Sequence, residues 1–188
     1  LLEHLETVDI DHDRNLENFR YPVQMVIRPN QNYRGFAGQV ASGVVRKGDD
    51  VLVLPSGKTS RIKSIDTYDG ELEEAFAPMS VTLRLEEELD VSRGSLICHP
   101  SDIPQEARTV EAQVVWMSDK PLDVDKSYLI KHGTRYVRAG LHRVEGKLDM
   151  DTLEEVETES LELNDIGRVV VTAHQPLFFD PYTKSRVQ

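Results

Sequence analysis

Apolar and polar side chains alternate with a period of two along one stretch of this chain after another. Val81, Leu83 and Leu85 are separated by Thr82 and Arg84, and the same rhythm runs through Val23, Met25 and Ile27 and through Val110, Ala112, Val114 and Trp116. Successive side chains of an extended backbone point to opposite faces, so each run predicts a strand with one buried face. Turn residues interrupt the runs at Lys47-Gly48-Asp49, Pro55-Ser56-Gly57, Asp69-Gly70 and Arg93-Gly94. Short strands at this spacing predict an all-β sandwich or barrel. Helical spacing occurs only in Leu1-Leu2-Glu3-His4-Leu5-Glu6, too short to nucleate a stable isolated helix, and it reads as the tail of a severed one.

The 188 residues suffice for two small domains, because domains of about half that length still bury most of their unfolded surface. Pro100-Ser101-Asp102-Ile103-Pro104-Gln105 combines two prolines with polar residues before a fresh alternating run begins. The expected division is therefore 1–20 as a linker at the end of a preceding domain, 21–105 as a first barrel and 106–188 as a second, which is expected to lack its last strand. No repeat of 20–50 residues suggests a propeller or solenoid, so two different barrels in tandem are expected.

Charge and cysteine usage narrow the functional classes. The net charge is −11, with 11 basic against 18 acidic residues up to Gln105 and 11 against 15 after it. Nucleic-acid binders usually carry a basic footprint, so an acidic balance in both halves argues against DNA or RNA as a partner. A local basic stretch from Arg28 to Lys63 is suited to an acidic partner domain or to plain solvation. Cys98 is the only cysteine, and no apolar run approaches the roughly 18 residues of a membrane span. The expected setting is cytoplasmic, with no membrane partner.

Most catalytic motifs fail on inspection. Gly57-Lys58-Thr59 matches the end of a phosphate-binding loop, but the position of its first glycine holds Leu52. Neither Asp-x-x-Gly nor Asn-Lys-x-Asp occurs, so the chain is expected not to bind GTP by itself. Asp9, Asp11 and Asp13 imitate a calcium loop whose glycine and final glutamate are replaced by Arg14 and Arg20. The histidines lack metal-ligand spacing, and eight carboxylates between Asp149 and Asp165 read as a solvated hairpin or loop. No catalytic, cofactor-binding or metal residue is assigned.

One string carries more information. Gly38-Gln39-Val40-Ala41-Ser42-Gly43-Val44-Val45-Arg46-Lys47-Gly48-Asp49-Asp50-Val51 resembles the second domain of translation-type GTPases, in which Gly-x-Val-x-Ser/Thr-Gly-x-Val-x-x-Gly-Asp-x-Val recurs. Tyr21 to Asn30, Tyr33-Arg34-Gly35, Leu54-Pro55-Ser56-Gly57, Val114-Val115-Trp116-Met117 and Pro176 to Tyr182 narrow the resemblance to the large, GTP-binding subunit of bacterial sulfate adenylyltransferase.

That resemblance implies two tandem antiparallel Greek-key β-barrels of the domain 2 and domain 3 type. It further implies a non-catalytic part of a GTPase subunit that couples GTP hydrolysis to formation of adenosine 5′-phosphosulfate from ATP and sulfate. GTP and magnesium would belong to a preceding domain, and the partners would be that GTPase domain and the small catalytic subunit. Two alternatives stay open: the barrel pair of an elongation-type GTPase that binds aminoacyl-tRNA, and a stand-alone small-molecule barrel. Arg28, Asn30 and Arg34, on a rim loop from Arg28 to Arg34, are the expected domain-interface residues. A fixed guanidinium there suits a carboxylate across an interface.

Overall fold

The computed structural model describes residues 15–181, so Leu1–Glu6, expected to be the tail of a helix, and the Asp9, Asp11 and Asp13 series lie outside the described residues. Every regular element described is a strand, as the alternation predicted. The chain divides into two compact units. Among described residues, the first holds 15–104 with Gly133–Arg135 and 179–181, and the second holds Gln105–His132 and Tyr136–Phe178.

In the first unit, β1 (Arg20–Asn30), β2 (Tyr33–Gln39), β4 (Asp50–Leu54), β5 (Lys58–Thr67), β8 (Ser80–Leu85) and β9 (Leu96–Cys98) form a closed barrel. Its order is β4-β9-β1-β2-β8-β5, with β5 pairing back to β4. The last strand, β9, thus lies between two earlier ones. Short β3 (Val44–Arg46) and β7 (Glu74–Phe76) make a separate ribbon, and β6 (Gly70–Leu72) extends β5 as a hairpin.

Closure puts the inner face of every strand into one core. Phe36, Leu83 and Ile65 are consecutive cross-strand partners, all buried, and Tyr21, Val23, Val51, Val53, Ile62 and Ile97 complete the packing. Tyr21 carries a hydroxyl into this apolar interior. It lies 2.8 Å and 2.7 Å from the carbonyl oxygens of Phe36 and Val81 and donates its proton between them. A buried hydroxyl without such an acceptor would be costly.

One strand departs from the predicted phase. Val23 opposes Gly38 while Met25 opposes Ala37, so Gln24 is an extra residue in β1. Such a bulge turns the following side chains to the other face. Met25, expected inside with Val23, is 57% exposed, and Val26 packs against the core in its place. Gly38 makes the strand crossing possible, since a Cβ there would stand 2.6 Å from the Pro22 carbonyl oxygen.

The second unit has β10 (Gln105–Val115), β11 (Ser127–His132), β12 (Arg135–Leu148), β13 (Glu155–Val156) and β14 (Ile166–Phe179). Its sheet runs β10-β14-β12-β11, with β13 paired to β12. β12 and β14 are antiparallel, from Ala139 opposite Ala173 to Lys147 opposite Gly167. Val137, Ala139, Leu161, Val169, Val171 and Ala173 are buried in it.

The acidic stretch forms a hairpin and loop. Its turn is made by the Asp149 carboxylate, which accepts from the Asp151 and Thr152 amides at 2.9 Å each. Those amide bonds hold the Asp149 carboxyl below its ordinary range. Leu161 anchors the far end in the core.

Candidate interaction surface

The segment expected as a rim loop is the tip of a β-hairpin. β1 continues through Asn30, which pairs with Tyr33, leaving only Gln31 and Asn32 in the turn. The correction has a local cause: Asn30 Oδ1 accepts from the Asn32 amide at 2.9 Å, a side-chain bond that closes a tight turn without a longer loop. Pro29 lies within the strand, in its last turn-proximal residues, rather than in the turn itself.

The structure separates the three expected interface residues by environment. Arg28 and Asn30 are exposed at the strand end. Arg34 is 27% exposed, its guanidinium stacked 5.6 Å from the Phe36 ring centroid and 4.0 Å from Asp90. Its Nε is buried with no hydrogen-bond partner among the described residues. Arg34 is thus held by packing while its outer nitrogens remain reachable, whereas Arg28 is a solvated charge.

Beside this tip, the outer face of the barrel has its own ordered row. Met25, Ala37, Thr82 and Asp66 are successive cross-strand partners on β1, β2, β8 and β5, and Glu71 on β6 follows. The Tyr33 hydroxyl donates to Asp66 Oδ2 at 2.9 Å, and the Arg84 guanidinium stacks on the Tyr33 ring at 4.8 Å. Burial and the neighbouring Asp66 carboxylate both push the Tyr33 hydroxyl pKa up. Glu71 is bridged by Lys47 at 2.5 Å.

The first unit also contains a buried ion cluster that sequence reasoning missed. Arg20, 1% exposed, donates from Nε and a terminal nitrogen to the two oxygens of Asp180, at 2.6 Å and 3.0 Å. Its other terminal nitrogen reaches the Asp102 carboxylate at 3.1 Å and the carbonyls of Phe19 and Asp102 at 2.9 Å. Burial opposes the charge on Arg20, but the hydrogen bonds to Asp180 and Asp102 outweigh it and raise its pKa. The only local signal was an arginine between two aromatic residues, Phe19 and Tyr21, at the start of a strand.

The phosphate-loop lookalike is structural. Pro55-Ser56-Gly57 is the turn between β4 and β5, and Lys58-Thr59 begin β5. Gly57, with φ of 68°, donates its amide to the Val53 carbonyl at 2.8 Å. With that amide engaged and a strand following instead of a helix, these residues do not fit a nucleotide phosphate.

Residues 109–187 match the model of the family described as GTP-eEF1A C-terminal domain-like. The chain is 51% identical, over 99% of its length, to a protein of Bacteroides thetaiotaomicron named sulfate adenylyltransferase subunit 1, and 52% identical over 99% to the one of Bacteroides fragilis. It is 47% identical over 99% of its length to the bifunctional enzyme CysN/CysC of Rhodopirellula baltica, of which it covers 29%. It spans about 40% of the length of the two Bacteroides relatives.

Among solved structures, sup35 complexed with GMPPNP superposes with a TM-score of 0.81 at 17% identity, over 98% of this chain and 46% of that one. The elongation factor SelB of Methanococcus maripaludis, in its apo form, gives 0.70 at 18% identity, over 95% and 39%. At such identities the likeness concerns the fold alone.

Proposed function

The chain belongs to the sulfate adenylyltransferase subunit 1 family, and from that premise we propose that it is the non-catalytic body through which the GTPase subunit is coupled to adenosine 5′-phosphosulfate formation. ATP and sulfate react in a small catalytic subunit, and a separate domain of the whole protein handles GTP and its magnesium ion. The setting is the cytoplasm, with neither a membrane nor nucleic acid as partner. The observation that carries the reading is 51% identity, over 99% of the chain, to a protein bearing that subunit's name.

The hairpin tip supports a place for the relay. Arg28 and Asn30 present themselves to solvent there, and Arg34 offers a guanidinium fixed by Phe36. A preorganised guanidinium loses little freedom on taking a carboxylate in bidentate fashion. These residues face the GTPase domain, and Arg34 is the one that senses its state.

The test is direct binding of the purified chain to the small catalytic subunit of the same organism, with aminoacyl-tRNA as the competing ligand. Saturable binding to the subunit and none to tRNA is expected. Binding to tRNA alone would transfer the chain to the translation-factor reading, which has only the shared fold in its favour.

A further inference from the structure

The outer face of the first barrel carries a cleft of about 400 Å³ whose floor and walls come from four strands and one hairpin turn. Its floor is Ala37 and Gly38, side chains too small to fill the space between Gln24 on one side and Asp66 and Tyr68 on the other. The β1 bulge matters here, because Gln24 is the inserted residue and forms the wall next to Gly38. Thr82, between Ala37 and Asp66 in the cross-strand row, adds a hydroxyl.

Two groups in the cleft are poised for a cation. Asp66 uses Oδ2 to accept from Tyr33, while Oδ1 takes part in no hydrogen bond among the described residues. Tyr68, in the turn between β5 and β6, is fully exposed, so a large aromatic face stands in water beside that carboxylate. Aromatic faces attract guanidinium and ammonium groups, and a carboxylate adds direct charge attraction.

The surroundings have the same sign. The segment from Asp66 to Glu74 holds Asp66, Asp69, Glu71, Glu73 and Glu74 with no basic residue. Only Glu71 and Glu74 form ion pairs among the described residues, with Lys47 and Arg46. Arg84 stacks on the Tyr33 ring and makes no ion pair with Asp66 among the described residues.

We propose that this cleft is a docking receptacle for an arginine side chain of a protein partner, its guanidinium held between the Asp66 carboxylate and the Tyr68 ring. Tyrosine and arginine are both enriched among interface anchors, and a guanidinium is attracted to an aromatic face. The inference rests on the reading above only where the small catalytic subunit is used as the partner.

The experiment titrates the isotope-labelled chain with N-acetyl-arginine amide, and in parallel with its neutral isostere N-acetyl-citrulline amide, following amide NMR signals. Shifts of Gly38, Thr67 and Thr82 with the arginine compound are expected. Citrulline, Asp66→Asn and Tyr68→Ala should each weaken the response about tenfold. Asp66→Asn keeps an oxygen for the Tyr33 hydroxyl, so the fold is preserved. Equal shifts from both compounds, or arginine shifts confined to the amides of residues 149–165, overturn the proposal.

A second arm measures binding of the same variants to the small catalytic subunit, where about tenfold weaker binding by Tyr68→Ala is expected. Unaltered binding by both variants overturns the docking role. If the unmodified chain fails to bind that subunit, the functional reading falls while the arginine titration still decides the cleft.

Discussion

Arg20 and Asp180, 160 residues apart in sequence, meet in a two-pronged ion pair at 2.6 Å and 3.0 Å, with the arginine buried and the carboxylate only 6% exposed. The pair joins the first strand residue of β1 to the chain just beyond β14. Removing one member strands a charge away from water, which typically costs about 3–5 kcal/mol. Asp180→Leu should therefore lower the urea midpoint markedly, and Arg20→Met combined with Asp180→Leu should recover part of the loss. A single substitution that costs under about 1 kcal/mol would show that water reaches the cluster.

Tyr21 gives the barrel an alkaline limit. Burial raises its hydroxyl pKa, with a backbone hydrogen bond opposing, so the folded state keeps the proton longer than the unfolded chain. Stability from this group is fully present below the ordinary value of 10.0 and is lost as pH rises above it, because the folded state then binds more protons than the unfolded one. Unfolding followed from pH 8 to about 11 should show a fall in stability, and Tyr21→Phe should flatten the alkaline slope. At neutral pH the same substitution should cost about 1 kcal/mol through the lost bond to Phe36 and Val81.

Two glycines with similar backbone angles should respond differently to alanine. Gly43 (φ 74°) would place a Cβ 2.4 Å from the Phe19 backbone, while Gly57 (φ 68°) has nothing within 4 Å. Gly57→Ala should cost only the left-handed strain, about 1–2 kcal/mol. Gly43→Ala adds a backbone clash that cannot relax, so its thermal midpoint should drop further. Equal losses would mean that the Phe19 segment yields.

Calorimetry of the purified chain with GTP and magnesium should record no binding heat, because Lys58-Thr59 open a strand and the Gly57 amide is already bonded to Val53. Submicromolar binding would refute the assignment of the nucleotide to another domain.

Arg34→Ala, introduced into the complete two-subunit enzyme, should diminish the stimulation of adenosine 5′-phosphosulfate synthesis by GTP. The stacking on Phe36 and the 4.0 Å approach to Asp90 are partly exposed, so stability should change by no more than about 1 kcal/mol. Intact stimulation in this variant and in Arg28→Ala would place the relay elsewhere.

Strand positions and turns were legible because they are local facts. Val81, Leu83 and Leu85 are buried as their period of two requires, and Gly48, Gly57, Gly70 and Gly94 all adopt positive φ at the predicted turns. The family was legible for a related reason, since the Gly38 to Val51 string combines a close strand crossing at Gly38, a bend at Gly43 and a turn at Gly48, each a local demand on the backbone.

The tertiary structure decided what alternation cannot encode. Period two says which side chains share a face, but an inserted residue such as Gln24 reverses the phase without any composition signal, and so Met25 points outward. Asp66 and Ala37 become neighbours only because β8 lies between their strands, and Arg20 finds Asp180 only once the chain has returned from β14. Local sequence determined the strands because backbone and turn preferences act over a few residues, whereas partners across the barrel and for buried charges were set by closure, which acts over the whole chain.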